Sequence, residues 1–250
     1  MQLRRIRLPR AALQQMPEAE RAFLLLAGHM QNELNSLHKV FAWCLHSGGS
    51  TSSIESLANG VQAQLYARLL AGKLLEAWNA LGAAFFGARI SQRIEASLHP
   101  LAQEALIKLK TYFGKSNAIY RARNSFAFHY AAEEFEQHWA EVADSPNFEI
   151  ILGGTVGNNL DLASELVVNT AVLNSVNQQD ESAALQTFLD DVQLTASHFT
   201  VFLEGAILVL LESALPSPLA SQGSTETIAP RFRFDGVAIP HFYDHGVADA

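Results

Sequence analysis

The stretch that decides the fold is residues 23–41, with the sequence FLLLAGHMQNELNSLHKVF. Its apolar residues recur at steps of three and four, which places them on one face of an α-helix. The members of this face are Phe23, Leu26, Ala27, Met30, Leu34, Leu37 and Phe41. The pattern extends from Pro17 to about His46 and therefore predicts a long amphipathic helix.

A second long helix is predicted after a short joint. Residues 47–50, SGGS, interrupt the first helix, and Ser52 or Ser53 can cap the next one, which continues to about Phe86. Because the joint is short, we expect the two helices to form an antiparallel pair.

Four further helices complete the predicted fold. They cover residues 100–113, 116–142, 160–176 and 181–214. Pro100 suits the first turn of a helix and Gly114 suits a helix end, while Ser116 or Asn117 can cap the helix that follows. The predicted class is all-α, an antiparallel helical bundle of about six helices with a short non-helical C-terminal arm.

The end of the chain differs in composition from the rest. We expect a helical domain over residues 1–214 and a linker with a C-terminal arm over residues 215–250. The Pro-Ser-Pro run at 216–218 and the polar run at 221–227 are typical of a linker. Residues 231–243 alternate enough to predict a small hairpin or an ordered arm.

Charge and cysteine content limit the function classes. The net charge is −8, which disfavours a protein that coats nucleic acid non-specifically, since phosphate binding needs a positive surface. The single cysteine, Cys44, cannot form an internal disulfide and fits a reducing compartment. No apolar run typical of an export signal follows the basic start. We expect a cytoplasmic protein.

The most apolar window of the chain is residues 199–215. Glu204 and Glu212 interrupt it, whereas a membrane-spanning helix needs roughly 20 mostly apolar, uncharged residues. We therefore expect a core helix here and no membrane partner.

A local basic segment lies within this acidic chain. No Asp or Glu occurs between Glu104 and Glu133. The cations of this segment are Lys108, Lys110, Lys115, Arg121 and Arg123, and its aromatic residues are Tyr112, Phe113, Tyr120, Phe126, Phe128 and Tyr130. Positive charge and aromatic surface coincide where proteins bind single-stranded RNA. A core helix with solvated lysines on its outer face explains the same pattern.

Three residues of this segment have side chains suited to RNA cleavage: Arg123, Asn124 and His129. A 2′-hydroxyl can attack its adjacent phosphate if a base removes its proton and a cation offsets the charge that gathers on the phosphate oxygens. Histidine transfers protons near neutral pH, and arginine pairs with two phosphate oxygens at once. Asparagine can orient either group by hydrogen bonding. This chemistry needs no metal and no cofactor.

Residues 119–130, IYRARNSFAFHY, resemble the ribonuclease motif of HEPN domains. These helical bundles carry an arginine, then a polar residue, then a histidine after four to six intervening residues. Arg123, Asn124 and His129 match this pattern, with five residues between arginine and histidine, whereas Arg121 would need seven.

The resemblance covers mainly residues 100–142 as a motif and the first four helices as an architecture. It implies metal-independent RNA cleavage in a homodimer, with motif residues from both subunits meeting in one cleft. It also implies a role related to toxins or defence, with a protein antitoxin or regulator as a further partner.

Helix geometry constrains the pair formed by Arg123 and His129. At roughly 100° per residue, positions six apart differ by about 240° around a regular helix and do not share a face. Either the helix is distorted or begins within the segment, or Arg123 of one subunit works beside His129 of another. In this hypothesis Arg123 binds the phosphate, His129 transfers protons and Asn124 orients. The residues that guide the RNA are Lys108, Lys110, Lys115, Arg121 and Tyr120.

Other interpretations stay open. Arg123 in a surface ion pair and His129 as an ordinary helix histidine need no catalysis. A non-catalytic helical dimer that binds nucleotide or a protein partner through the same cleft is the alternative function.

Metal and phosphate sites are disfavoured. Pairs such as His29 with Glu33 and Glu134 with His138 are more often exposed helix contacts than metal ligands. The glycine-rich residues 153–157 lack the ending of a P-loop and favour a tight turn with a capped helix over a phosphate cradle.

Overall fold

A computed structural model describes residues 1–45, 52–124, 132–142, 148–215, 217–221, 223–229, 233, 236–237 and 239–244. The α-helices of these described residues are α1 Arg10–Gln15, α2 Glu18–Leu45, α3 Ser53–Leu81, α4 Ile90–Ile94, α5 Pro100–Phe113, α6 Ala118–Asn124, α7 Ala132–Trp139, α8 Leu162–Val176 and α9 Glu181–Ala214. The predicted all-α class, a helical bundle with only short strands, is confirmed.

The helix boundaries follow the local signals. Helices α5 and α9 have the predicted bounds. Ser52 caps α3, since its hydroxyl oxygen accepts a hydrogen bond from the Glu55 amide at 3.1 Å. Asn117 caps α6 in the same way, with its side-chain oxygen 2.8 Å from the Tyr120 amide nitrogen. The short helices α1 and α4 and the π-helical turn at Gly82–Gly87 were not predicted.

The chain forms two compact units. Unit 1 comprises Met1–Ser36, Lys73–Ser116 and Gln193–Arg233, and unit 2 comprises Leu37–Gly72, Asn117–Val192 and Phe234–Ala250. The predicted boundary between residues 214 and 215 stays a prediction.

Aromatic side chains form the centre of unit 1. The Phe85 ring lies 5.0 Å from the Phe23 ring and 5.3 Å from the Phe202 ring, and all three side chains are fully buried. Glu33 and Lys73 are also close, with Nζ 3.4 Å from a carboxylate oxygen. Because residue 23 lies beside residue 85 and residue 33 beside residue 73, these two chain segments run antiparallel, as predicted.

Helix α5 approaches α9 closely within unit 1. A Cβ placed on Gly205 would lie 2.5 Å from the Cβ of Ala102. A side chain at position 205 would therefore push the two helices apart, and glycine permits their contact.

Unit 1 also contains a two-stranded antiparallel sheet. Strand β1, Gln2–Arg5, pairs with strand β4, Ser224–Thr227. Gln2 lies opposite Thr227. Residues 221–227 were predicted to be linker, which is wrong for this strand. The reason is that both strands are exposed and short, so neither shows an apolar alternation.

Helix α8 is central to unit 2. Helices α6 and α7 both pack against it, and Phe135 and Val142 cover a buried cluster of Val167, Val168 and Ala171. Strands β2, Ile150–Ile151, and β3, Leu160–Asp161, precede α8 as a small antiparallel pair. The carboxylate of Asp161 accepts a hydrogen bond from the Ser164 amide at 3.0 Å, which confirms the capped helix expected after residues 153–157.

The C-terminal arm has an ordered contact in unit 2. The side-chain amide of Asn158 donates to the Tyr243 carbonyl at 2.7 Å, and its oxygen accepts from the Tyr243 amide at 3.0 Å. Of residues 231–243 the structure describes 233, 236–237 and 239–243, and the choice between the hairpin and the ordered arm stays a prediction.

Helix α9 is the one helix among the described residues with the length and composition of a membrane span, at a mean hydropathy of 1.8. Half of its apolar window is buried inside the structure. The buried side includes Phe199, Phe202, Leu203 and Leu210. These buried side chains are part of the core of unit 1.

Candidate functional site

The motif helix α6 has one buried side and one exposed side. Ala118, Ile119 and Ala122 are buried in unit 2. Tyr120 is 51% exposed, and Asn124, one helical turn further along, is also exposed. Two of the predicted site residues are therefore accessible on the same side of this helix.

Arg121 and Arg123 lie in the last turn of α6, and both are partly exposed. Arg123 follows Tyr120 by three positions, so the guanidinium, the aromatic ring and the Asn124 amide project from neighbouring parts of the helix surface. Arginine near a helix C-terminus is also favoured by the helix dipole, which supplies a structural reason for both residues.

His129 lies outside the described residues, together with the rest of the segment from 125 to 131. Its distance from Arg123 and the choice between a distorted helix and a shared site therefore stay predictions.

The predicted RNA-guiding residues are divided between the two units. Lys108, Lys110 and Lys115 belong to unit 1, whereas Tyr120 and Arg121 belong to unit 2. All three lysines are exposed.

Two of the lysines are engaged by carboxylates. Lys108 Nζ lies 2.7 Å from a Glu104 oxygen, and Lys110 Nζ lies 2.9 Å from a Glu95 oxygen and 5.2 Å from the centre of the Phe86 ring. The segment is free of acids in sequence, yet Glu95 reaches it from 15 residues away. The local positive charge is therefore smaller than the sequence suggests.

Unit 2 contains a buried polar network that the sequence analysis missed. Arg68 of α3 is 5% exposed, and its guanidinium donates to Glu165 Oε2 at 2.8 Å and to Asn169 Oδ1 at 2.6 Å, both on α8. Arg68 is the only charged residue between Glu55 and Lys73. A lone arginine among apolar helix residues was the signal that could have identified it.

A groove of about 670 Å³ lies beside this network, wholly within unit 2. Its lining residues are Ser53, Ser56, Leu57, Gly60, Val61 and Gln64 of α3, Leu162, Glu165, Leu166 and Asn169 of α8, and Glu149. The volume is in the range of small-molecule sites, which combine apolar walls with a few polar groups. Glu165 and Asn169 both line the groove and bind Arg68.

Described residues form no metal centre. No three side chains of His, Cys, Asp or Glu in the part of the chain that the structure describes could hold a metal ion. His29 lies 3.7 Å from Glu33, and His138 pairs with Glu141 at 3.1 Å rather than with Glu134. Hydrogen bonding from Asn174 and the contact with His138 lower the pKa of the Glu141 carboxyl. The pair of His29 with Glu33 is a helix-surface contact, as favoured by the sequence, whereas His138 pairs with a residue beyond the end of α7 and not with Glu134 as expected.

Cys44 gives no sign of a reactive thiol. It is buried, and burial raises the pKa of the thiol, so the nucleophilic thiolate is disfavoured. Cys44 is therefore part of the apolar core. The chemistry of the candidate site is therefore carried by α6 and by the groove of unit 2.

The chain matches no protein-family model, no curated protein and no solved structure.

Proposed function

We propose that the chain is a metal-independent endoribonuclease of HEPN type that acts as a homodimer. The observation that carries the proposal is the outward side of α6, where Tyr120 and Asn124 are exposed beside the partly exposed Arg123. An aromatic ring, an amide and a permanent cation are the groups with which proteins bind a base, a ribose and a phosphate. The all-α fold is of the kind that the HEPN resemblance implies.

Each residue has a distinct role in the proposed reaction. Tyr120 stacks on a base, Arg123 pairs with the scissile phosphate, and Asn124 orients the ribose or the phosphate. His129 removes the proton of the 2′-hydroxyl, which attacks the adjacent phosphorus. The bond to the 5′ oxygen breaks, that oxygen receives a proton, and the products are a 2′,3′-cyclic phosphate and a 5′-hydroxyl.

The ion pairs of unit 1 predict how Lys108 and Lys110 would take part. Each lysine has to exchange a carboxylate for an RNA phosphate, so its gain on binding is small. The affinity for RNA should then fall less steeply with salt concentration than it would if all five cations were without carboxylate partners. Cytoplasmic location and a protein antitoxin or regulator belong to the same proposal.

Cleavage of labelled RNA in the presence of EDTA tests the activity. We expect wild type to release fragments that end in a cyclic phosphate, and Arg123→Ala and His129→Ala each to lower the rate about 100-fold or more. Arg10→Ala is the matched control for Arg123→Ala. Arg10 is exposed and lies outside the motif, and its loss removes one positive charge, as the loss of Arg123 does. Cleavage that survives both motif changes, or its absence from well-folded wild type, rejects the ribonuclease.

The groove of unit 2 favours a second candidate function, non-catalytic binding of a small molecule. Among the described lining residues two are acidic, Glu149 and Glu165, and none is basic. Because Arg68 already pairs with the Glu165 carboxylate, Glu149 gives the lining its remaining negative charge, and an uncharged ligand such as a nucleoside fits better than a nucleotide. The measurement is a thermal-shift series with nucleosides and nucleotides on wild type and on Val61→Trp, which fills the groove. A shift by nucleotides alone would exclude this groove as the site.

A further inference from the structure

The groove of unit 2 has apolar walls on two helices. Leu57 and Val61 line it from α3, and Leu162 and Leu166 line it from α8. In each pair the two residues are four positions apart, so they form a short row along their helix. Ligand sites of this size combine apolar walls with a few polar groups. Two rows along one groove favour a flat ring, because a flat ring can contact both rows at once.

Two polar side chains of α8, Glu165 and Asn169, also line the groove, and Arg68 holds both of them. The guanidinium donates to Glu165 Oε2 at 2.8 Å and to Asn169 Oδ1 at 2.6 Å. Since a guanidinium can only donate, this contact fixes which end of the Asn169 amide is the oxygen. Arg68 itself is buried and is not a lining residue, so it positions the two side chains from behind the groove wall.

One polar atom of each side chain is left to bind a ligand. Within the part of the chain that the structure describes, Glu165 Oε1 accepts no hydrogen bond and Asn169 Nδ2 donates none. The Glu165 side chain is 25% exposed and Asn169 is half-buried, so a ligand in the groove can reach both. The groove therefore presents a fixed acceptor one helical turn away from a fixed donor.

A lactam edge, in which a ring N–H lies beside a C=O group, complements this donor and acceptor. The N–H can donate to Glu165 Oε1 while the C=O accepts from Asn169 Nδ2. A lactam N–H is a more acidic donor than an exocyclic amino group, and hydrogen bonds to an ionised acceptor are the strong ones. Hypoxanthine, guanine and uracil carry a lactam edge, whereas adenine presents an amino group beside a ring nitrogen. The ligand chemistry that fits best is therefore a flat, uncharged lactam.

We propose that the groove of unit 2 binds the lactam edge of an uncharged heterocycle, with Glu165 as the acceptor and Asn169 as the donor. This inference rests on the second candidate function, small-molecule binding in the groove, and adds the chemical class of the ligand. It is independent of ribonuclease activity. Glu149 does not select a cation instead, because it is exposed and water screens its charge. A cationic edge would also bring donors against Asn169 Nδ2, which can only donate.

Isothermal titration calorimetry with a matched pair of nucleosides tests the lactam edge. Inosine carries both the N–H and the C=O, and in 1-methylinosine a methyl group replaces the hydrogen of that N–H. We expect wild type to bind inosine about 10-fold more tightly or better, because the methylated analogue leaves Glu165 Oε1 without its hydrogen bond. Equal affinities for the two nucleosides, or no binding of inosine at millimolar concentration, overturn the proposal.

Two substitutions test the assigned atoms, and each keeps an oxygen for Arg68. Asn169→Asp removes the donor and should weaken inosine binding about 10-fold or more. Glu165→Gln replaces the free acceptor by a donor and should remove most of the discrimination between inosine and 1-methylinosine. Glu136→Gln is the matched control, since Glu136 is exposed on α7 outside the groove and undergoes the same change. Variants that are folded by circular dichroism and still bind like wild type contradict the assignment.

Val61→Trp separates a failure of this inference from a failure of the groove as a ligand site. It fills the groove and should abolish inosine binding. If adenosine binds as tightly as inosine and Val61→Trp abolishes both, the groove binds a small molecule but the lactam assignment is wrong. Binding that Val61→Trp leaves unchanged, or no binding of any nucleoside, rejects both. 1-Methyladenosine, a cation at neutral pH, is the competing ligand, and tighter binding of it than of inosine would make the groove a cation site.

Discussion

One ion pair of each unit shows what burial does to a charge, although unit 1 also buries a carboxylate, that of Glu20 beside Arg93. In unit 1 the pair of Lys110 with Glu95 is at the surface, with side chains 42% and 35% exposed. In unit 2 the Arg68 side chain is 6% exposed and its partner Glu165 is 25% exposed. Water screens the first pair, whereas the buried guanidinium of the second depends on its protein partners. The free energy of unfolding should therefore respond to the loss of the Glu165 carboxylate far more than to the loss of the Lys110 cation.

The largest effect is expected from Glu165→Ala. It leaves the buried Arg68 guanidinium without its carboxylate, and the loss of one partner of a buried pair costs about 3 kcal/mol. The measurement is the free energy of unfolding from urea titration. The double variant Arg68→Met with Glu165→Leu is the control, since it removes both charges and should recover most of the loss. If Glu165→Ala is as stable as wild type, the buried pair contributes no more to the free energy of unfolding than a surface pair does.

Close packing in unit 1 is the next contrast. Gly205→Ala adds a Cβ that would lie 2.5 Å from the Ala102 Cβ, and we expect a loss of about 1 to 2 kcal/mol. Gly28→Ala, on α2, is the matched control, because a Cβ at position 28 would have no neighbouring atom within 4 Å. There we expect a gain of up to about 1 kcal/mol from helix propensity. Equal effects of the two changes on urea unfolding would contradict the close contact of α5 and α9.

The surface pair should contribute little. Lys110→Met keeps the aliphatic stem over Phe86 and removes the charge that pairs with Glu95. We expect a loss below about 1 kcal/mol in the same unfolding assay, because exposed pairs are screened and their ordering costs entropy. A loss as large as that of Glu165→Ala would remove the contrast between the two ion pairs.

The smallest effect concerns pH. Burial lowers the pKa of His38 in unit 2, so below the ordinary histidine pKa the unfolded chain binds more protons than the folded one. Stability should then fall as the pH drops from 7.5 through the ordinary value, and this fall should end below the folded-state pKa. His38→Gln should reduce the difference in melting temperature between pH 7.5 and 5.5. A pH-dependent difference that is the same in His38→Gln as in wild type would contradict the burial of the His38 imidazole.

Local signals in the sequence were sufficient for the long helices and for the start of the motif helix α6. Pro100 and Gly114 marked the ends of α5, and Asn117 marked the start of α6. Tyr120 and Asn124 are exposed, and their roles stay predictions. These features depend on neighbours within a few residues, whose effects on the backbone act wherever the segment lies in the fold.

Pairs distant in the sequence could not be predicted in this way. Arg68 and Glu165 are 97 residues apart, and Lys110 meets a carboxylate 15 residues before it. Neither pairing leaves a periodic pattern, because each partner alone looks like an ordinary charged residue. The groove beside Arg68 was missed for the same reason.

The sequence by itself therefore determined the helical class and the ends of α2, α5 and α9. Tertiary structure decided which charges are buried, which lysines are neutralised and which strands pair, with β1 and β4 as the most distant example. The physical reason is range. Periodicity and capping act within one or two helical turns, whereas burial and ion pairing arise only when remote segments exclude water from one another.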